Sequence, residues 1–180
     1  FAVSKDKFGD YRIAWQEIAR HFEACILPVK IPVKECGDVR VKTVIPHKTV
    51  YFVVEPNRSR AAKLLLYLNG GFARALLKLW AWSTRGGHYE HISGAVGHLP
   101  IPPQLLQYGV WGWLEEHIAG VEDERLNEAL GRVFDENRER LARELMQALG
   151  VSEEEYEAVV EWGRWLNEQR RGAEAGNCID

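Results

Sequence analysis

Cysteine is scarce in this 180-residue chain, and Cys25, Cys36 and Cys178 are odd in number and unevenly spaced. That excludes a disulfide framework and points to a reducing, cytoplasmic setting. No apolar run reaches the ~18 residues that a bilayer span requires. The longest candidates are interrupted by Lys63, Arg74 and Lys78, so no membrane partner is expected. No signal segment precedes the first apolar residues, and the chain opens at Phe1 without an initiator methionine, as a fragment or a processed product would. Catalytic signatures are missing as well. There is no Gly-x-Ser-x-Gly, no phosphate-loop motif, and no Glu-x-Lys pattern beside Asp38 and Glu55 to complete a nuclease metal site.

What is present is a globular composition, 46% hydrophobic, in a chain long enough for one well-buried domain or a domain with a helical appendage. Seven tryptophans are many for this size, so some are expected at a surface or interface. The net charge of −3 hides an asymmetry. Residues 1–100 carry 15 basic against 8 acidic side chains, net +7, while residues 101–180 carry 8 arginines, no lysine and 18 acids, net −10. A basic half suits a polyanion and an acidic half is repelled by one, so the two halves suit different partners.

Periodicity gives the organisation. Tyr11, Ile13 and Trp15 alternate as in a strand with one buried face, and Gln16–Glu23 fits either more strand or a short helix through Ile18 and Phe22. Ala24–Leu27 is a further short strand. Pro28 and Pro32 make the next segment, to Gly37, an edge strand or extended loop. Val39–Thr43 alternates again, and Pro46-His47-Lys48 turns into a strand over Thr49–Val54. From Ser59 the period becomes helical. One helix is capped by Ser59 and stops at Asn69-Gly70, and a second, apolar nearly all round, spans Phe72–Trp82. Residues 104–119 predict a short Trp-rich helix pair broken at Gly109 or Gly112. Residues 122–149 predict one amphipathic helix, stopped by Gly150. Ser152–Glu155 opens another as a capping box, with Val159, Val160, Trp162, Trp165 and Leu166 on its apolar side and a frayed tail from Gly172. The expected fold class is α+β: a small antiparallel β-rich unit with two apolar helices over 1–105, a helical region over 106–172 and a flexible tail over 173–180.

Chemistry is thin and binding is better supported. His88-x-x-His91 offers two imidazoles to a metal, with Cys178 or His98 as a further ligand, but no second cysteine pair supports that spacing. A satisfied or exposed histidine pair is the expectation. Cys25, near His21, sits in an apolar run and reads as core. Basic residues are concentrated in or beside loops of the β half, among them Arg12, Arg58 and Arg60. The candidate DNA-binding set is Lys30, Lys34, Arg40, Lys42, Lys48 and Arg85, with His88, Tyr89 and His91 as further donors and a ring.

Taken in order, these pieces resemble the target-recognition (specificity) domain of adenine-specific DNA methyltransferases, as found in type I and type IIG restriction–modification enzymes. The resemblance covers about residues 8–105 and rests on Tyr11–Arg20, Ile45–Val53, Ala61–Gly70, the Gly86-Gly87 loop and Leu99-Pro100-Ile101-Pro102. The family's helix ends in Leu-Asn-Ser, whereas this chain has Leu68-Asn69-Gly70. The resemblance implies a β-rich unit that docks in the major groove of double-stranded DNA beside the methylated base. It also implies S-adenosylmethionine on a separate methyltransferase catalytic domain or subunit. The Asn-Pro-Pro-Tyr/Phe signature of that domain is absent from this chain, so no catalytic residue or cofactor is expected here. Two rival expectations stand beside it. One is a protein–protein adaptor using the acidic, Trp-rich helical half. The other is an enzyme with a site around His88, Glu90 and His91.

Overall fold

Alternating apolar residues build a three-stranded antiparallel sheet in the order β3-β1-β6, with β1 (Tyr11–Gln16) between β3 (Ala24–Leu27) and β6 (Val50–Glu55). Ile13 is registered against Ile26 and Val53, and Trp15 against Ala24 and Tyr51. A computed structural model describes residues 11–27, 30–35, 38–44, 49–84, 88–107 and 109–176. The sequence predicts one buried face for β1, yet Arg12 to Trp15 are all buried. The second face is covered at Val44, whose carbonyl accepts from the Arg12 guanidinium at 2.5 Å.

Residues 16–23 form no helix. Glu17 N–H donates to Thr49 O at 2.9 Å and Glu17 O accepts from His91 N–H at 2.6 Å, so the backbone groups a helix would use are taken by neighbouring strands. The result is β2 (Ile18–Ala19), in a second sheet of order β2-β8-β7 with β8 (Tyr89–Glu90) and β7 (Trp82–Ser83). The remaining strands, β4 (Lys30–Glu35) and β5 (Asp38–Thr43), make a separate two-stranded ribbon.

Helix α1 (Arg58–Asn69) is capped by Asn57, not Ser59. The Asn57 side chain accepts from Arg60 N–H at 3.0 Å, while the Ser59 hydroxyl donates to Glu115 at 2.8 Å. Gly70 separates α1 from α2 (Gly71–Trp80), which ends before Trp82 because Trp82 pairs with Glu90 in the second sheet. Three short helices follow: α3 (Ser93–Gly97), α4 (Pro103–Leu106) and α5 (Leu114–Ile118). Between α4 and α5, Gly109 has φ 137° and Trp111 has φ 54°. Trp111 holds this left-handed backbone while only 2% exposed, because its N–H reaches Glu144 at 2.9 Å and its indole N–H reaches Leu141 O at 3.1 Å.

The single helix predicted over 122–149 is instead a 3-10 turn (Asp123–Arg125), α6 (Leu126–Glu136) and α7 (Arg138–Leu149). Asn137 makes the break. Its side-chain amide and its backbone N–H both donate to Val133 O at 3.0 Å, with φ −125° and ψ 23°. Gly150 stops α7 in the left-handed region at φ 68°, as read from sequence. The capping box also forms, with Ser152 N–H to Glu155 at 2.8 Å and Glu155 N–H to Ser152 Oγ at 3.2 Å.

Helix α8 (Glu153–Gly176) stays helical past Gly172. Trp162 and Trp165, expected on its buried side, are 55% and 50% exposed. Tyr156 and Gly163 are buried in their place, since α8 lies against α2. Phe72 and Tyr156 stack there at 5.2 Å and 10°. One hydrophobic core runs from Ile13 through Leu65, Leu77, Leu105, Leu114 and Leu130 to Tyr156, so it crosses the expected boundary at residue 105. No helix among the described residues is long and apolar enough to cross a membrane.

Candidate nucleic-acid interface

The β4–β5 ribbon follows from alternating Val and Ile in two short runs, with Pro32 confining it to an edge position. Its register pairs Lys30 with Thr43, Ile31 with Lys42, Val33 with Arg40 and Lys34 with Val39. Glu35 pairs with Asp38 at the tip. Four of the candidate DNA-binding residues therefore lie on one ribbon, which pairs with no other strand among the described residues.

The other candidates divide. Lys48 and Arg85 lie outside the described residues. The half-buried His88 uses its carbonyl to accept from Thr84 N–H at 2.8 Å and from the Thr84 hydroxyl at 3.1 Å. Tyr89 and His91 are 5% and 4% exposed, enclosed and not presented to solvent. The pairing of β8 with both β2 and β7 draws this segment inward. Lys78 lies 5.2 Å from the Tyr89 ring centroid, and the Phe22 and His91 rings meet edge-on at 5.3 Å.

Several basic residues read as loop cations serve structure. Arg58 donates to Ile118 O at 2.9 Å and to Val121 O, and pairs with Asp123 at 3.2 Å. Arg60 pairs with Glu55 at 3.3 Å. Lys63, 2% exposed and not singled out for binding, donates to Gln107 O at 3.0 Å, and burial pushes its pKa down. Cys25 is exposed, not core, and its thiol is pushed up by partial desolvation and by Glu23. Among the described residues no group of three or more His, Cys, Asp or Glu is placed to hold a metal ion.

His91 is strongly perturbed. Burial and the neighbouring Lys78 hold its pKa down at about 4, against a weak opposing pull from the Ala19 backbone. Neither ring nitrogen has a hydrogen-bond partner at normal geometry, so the ring is held neutral. An unfolded histidine titrates near ~6.5, so between that pH and about 4 only the unfolded chain takes up this proton. Stability from this site is therefore complete above ~6.5 and falls on acidification, by about 3 kcal/mol once the pH is below both values. The titratable and charged groups lining the space beside the ring are Arg20, His21, Arg74, Lys78 and Arg164. Denaturant unfolding at pH 7.5, 6, 5 and 4.5 should show that fall, and His91→Phe should flatten it. An unchanged pH slope in the variant would remove His91 as the cause. The chain matches no protein-family model, no curated protein and no solved structure.

Proposed function

We propose that this chain is the DNA sequence-recognition region of an adenine-N6 DNA methyltransferase or restriction–modification enzyme, acting in the cytoplasm. Methyl transfer belongs to a separate catalytic domain or subunit that carries S-adenosylmethionine. The observation that supports this reading is the separate ribbon bearing Lys30, Lys34, Arg40 and Lys42. The major groove of duplex DNA admits a two-stranded ribbon, lysines anchor it to phosphates, and arginine reads guanine edges in bidentate fashion. The acidic helical half, net −10 over 101–180, is repelled by the duplex and so favours an approach led by the β half.

The chain should bind duplex DNA weakly, with affinity falling steeply as salt rises. Changing Lys30, Lys34, Arg40 and Lys42 together to alanine should abolish measurable binding at moderate salt. At low salt the log–log salt slope should shrink by roughly one unit for each phosphate that is no longer neutralised. Fluorescence anisotropy over a salt series measures both. A folded chain with no duplex affinity at low salt would end this reading.

A second reading, a protein–protein adaptor, is favoured by Trp80, Trp82, Trp162 and Trp165, which are 41%, 74%, 55% and 50% exposed. A partner complex that survives high salt and disappears on changing Trp162 and Trp165 to serine would favour the adaptor over the DNA reader.

A further inference from the structure

The sheet β3-β1-β6 has two outer edges, and the chain treats them differently. On β3, the backbone groups of Ala24 and Ile26 that turn away from β1 are bonded by the side-chain amides of Asn69 and Asn127. On the other side, Glu17 N–H meets Thr49 O in step with the β1–β6 register, so every second residue from Thr49 turns its backbone to β1. Val50, Phe52 and Val54 therefore turn theirs outward, and among the described residues no strand or side chain bonds to them. Val53 and Val54 are 37% and 38% exposed. The devices that keep an edge from pairing are missing here. Thr49–Val54 contains no charge, no proline and no glycine, every residue in it favours a strand, and its register with β1 runs without a bulge.

We infer that this edge is an interface between two copies of the chain, in which β6 pairs antiparallel with its own counterpart about a two-fold axis at Phe52. Bonded pairs must join outward-turned residues, and this requirement selects the register. Phe52 faces Phe52 of the second copy, Val50 faces Val54 and Tyr51 faces Val53. Among the registers so allowed, this one engages the whole of Val50–Val54. It sets an aromatic ring against a β-branched side chain, a favourable cross-strand pair. Glu55 falls opposite Thr49, so no like charges meet, and Glu55 is already paired with Arg60 at 3.3 Å. A net charge of −3 opposes association only weakly. A second copy fits better than an unrelated strand, because the same uncharged residues recur in the phase that a two-fold axis demands. Since Asn69 and Asn127 close β3, the joined sheet has no further open edge and assembly stops at two copies. The inference stands whether or not the β4–β5 ribbon binds DNA.

A contact one strand wide is small, so a dimer with a dissociation constant on the order of 10 µM is expected, and no larger species. Sedimentation equilibrium of the folded chain over concentrations spanning that value measures it. Hydrogen exchange reads the contact itself. The Val50, Phe52 and Val54 amides should gain protection as concentration rises, while those of Tyr51 and Val53, turned to β1, are protected throughout. Val54→Pro removes a donor that β1 does not use, and Val53→Lys puts a charge at the exposed edge. Each should weaken the dimer by roughly tenfold or more, with the melting temperature of the dilute chain kept. Should the proline variant fail to fold, the lysine variant and the exchange pattern still decide. Trp162→Ser with Trp165→Ser should leave the dimer intact, and loss of the dimer there would move the interface to α8 and overturn the inference. A chain that stays monomeric across the series overturns it too, as does a dimer that Val53→Lys leaves unweakened or exchange at the three outward amides that ignores concentration. Failure of the DNA-reader proposal appears separately, as a folded chain without duplex affinity.

Discussion

Gly163→Val should lower the melting temperature by roughly 6–12 °C, the equivalent of about 3 kcal/mol in a domain of this size. Even the single Cβ of alanine at this position would lie 2.6 Å from Ala75 Cβ and 2.9 Å from Ala75 Cα. Carbon atoms at ease sit ~3.5–4.0 Å apart. The opposing atoms belong to a buried residue and its backbone, so nothing yields unless α2 and α8 separate. Gly163→Ala should therefore also destabilise, by about 1–3 kcal/mol, even though alanine favours helix over glycine by ~1 kcal/mol. Gly131 is the control. A Cβ there meets nothing within 4 Å, and Gly131→Ala on α6 should stabilise by up to ~1 kcal/mol. Adding Ala75→Gly should recover part of the stability that Gly163→Ala removes, since the two positions face each other directly. Thermal melts of these variants decide the matter. A Gly163→Val protein as stable as the parent would mean that α8 does not sit on α2 as described.

The second large effect is expected at the outer edge of β3. Asn69 Oδ1 accepts from Ala24 N–H at 2.9 Å and Asn69 Nδ2 donates to Ala24 O at 2.8 Å. Two residues along, Asn127 Oδ1 accepts from Ile26 N–H and Asn127 Nδ2 donates to Ile26 O, both at 2.8 Å. Each side-chain amide thus takes the place of a peptide group on a missing neighbouring strand. One comes from the end of α1 and the other from α6, so these bonds also tie the sheet to both helices. An unpaired edge invites pairing with another chain, and here it is closed by side chains. Asn69→Ala with Asn127→Ala should cost about 3–5 kcal/mol, because four backbone groups are left without partners at a partly buried site. Asn127→Asp tests the chemistry more sharply, since a carboxylate accepts from Ile26 N–H but cannot donate to Ile26 O. Hydrogen exchange at the Ala24 and Ile26 amides should quicken in the double variant, which should also aggregate more readily when warmed. Unchanged exchange at those two amides would contradict the edge-closing role.

The aspects of the candidate interface legible in the sequence were those that depend on local order. The prolines of Pro28–Gly37 and the strand alternation of Val39–Thr43 placed four basic residues on extended segments, and the structure pairs Lys30–Glu35 with Asp38–Thr43. Tyr89–His91 reads as loop because glycines precede it. The pairing of Tyr89 and Glu90 with β2 and β7, from other parts of the chain, is what encloses Tyr89 and His91.

By itself the sequence determined the α+β class, the strands beginning at Tyr11, Ala24 and Val50, the stop at Gly150 and the capping box at Ser152–Glu155. Each of these follows from side-chain period or from hydrogen bonds within a few residues, which the chain carries wherever it goes. The tertiary structure decided the rest. It chose strand over helix at Ile18–Ala19, because Glu17 bonds to Thr49 and His91. It moved the cap of α1 from Ser59 to Asn57, because Ser59 meets Glu115. It selected Tyr156 and Gly163 over Trp162 and Trp165 as the buried side of α8. That last choice turns on closeness of approach: hydropathy ranks tryptophan above glycine, but only a residue without a side chain lets α8 come so near to Ala75.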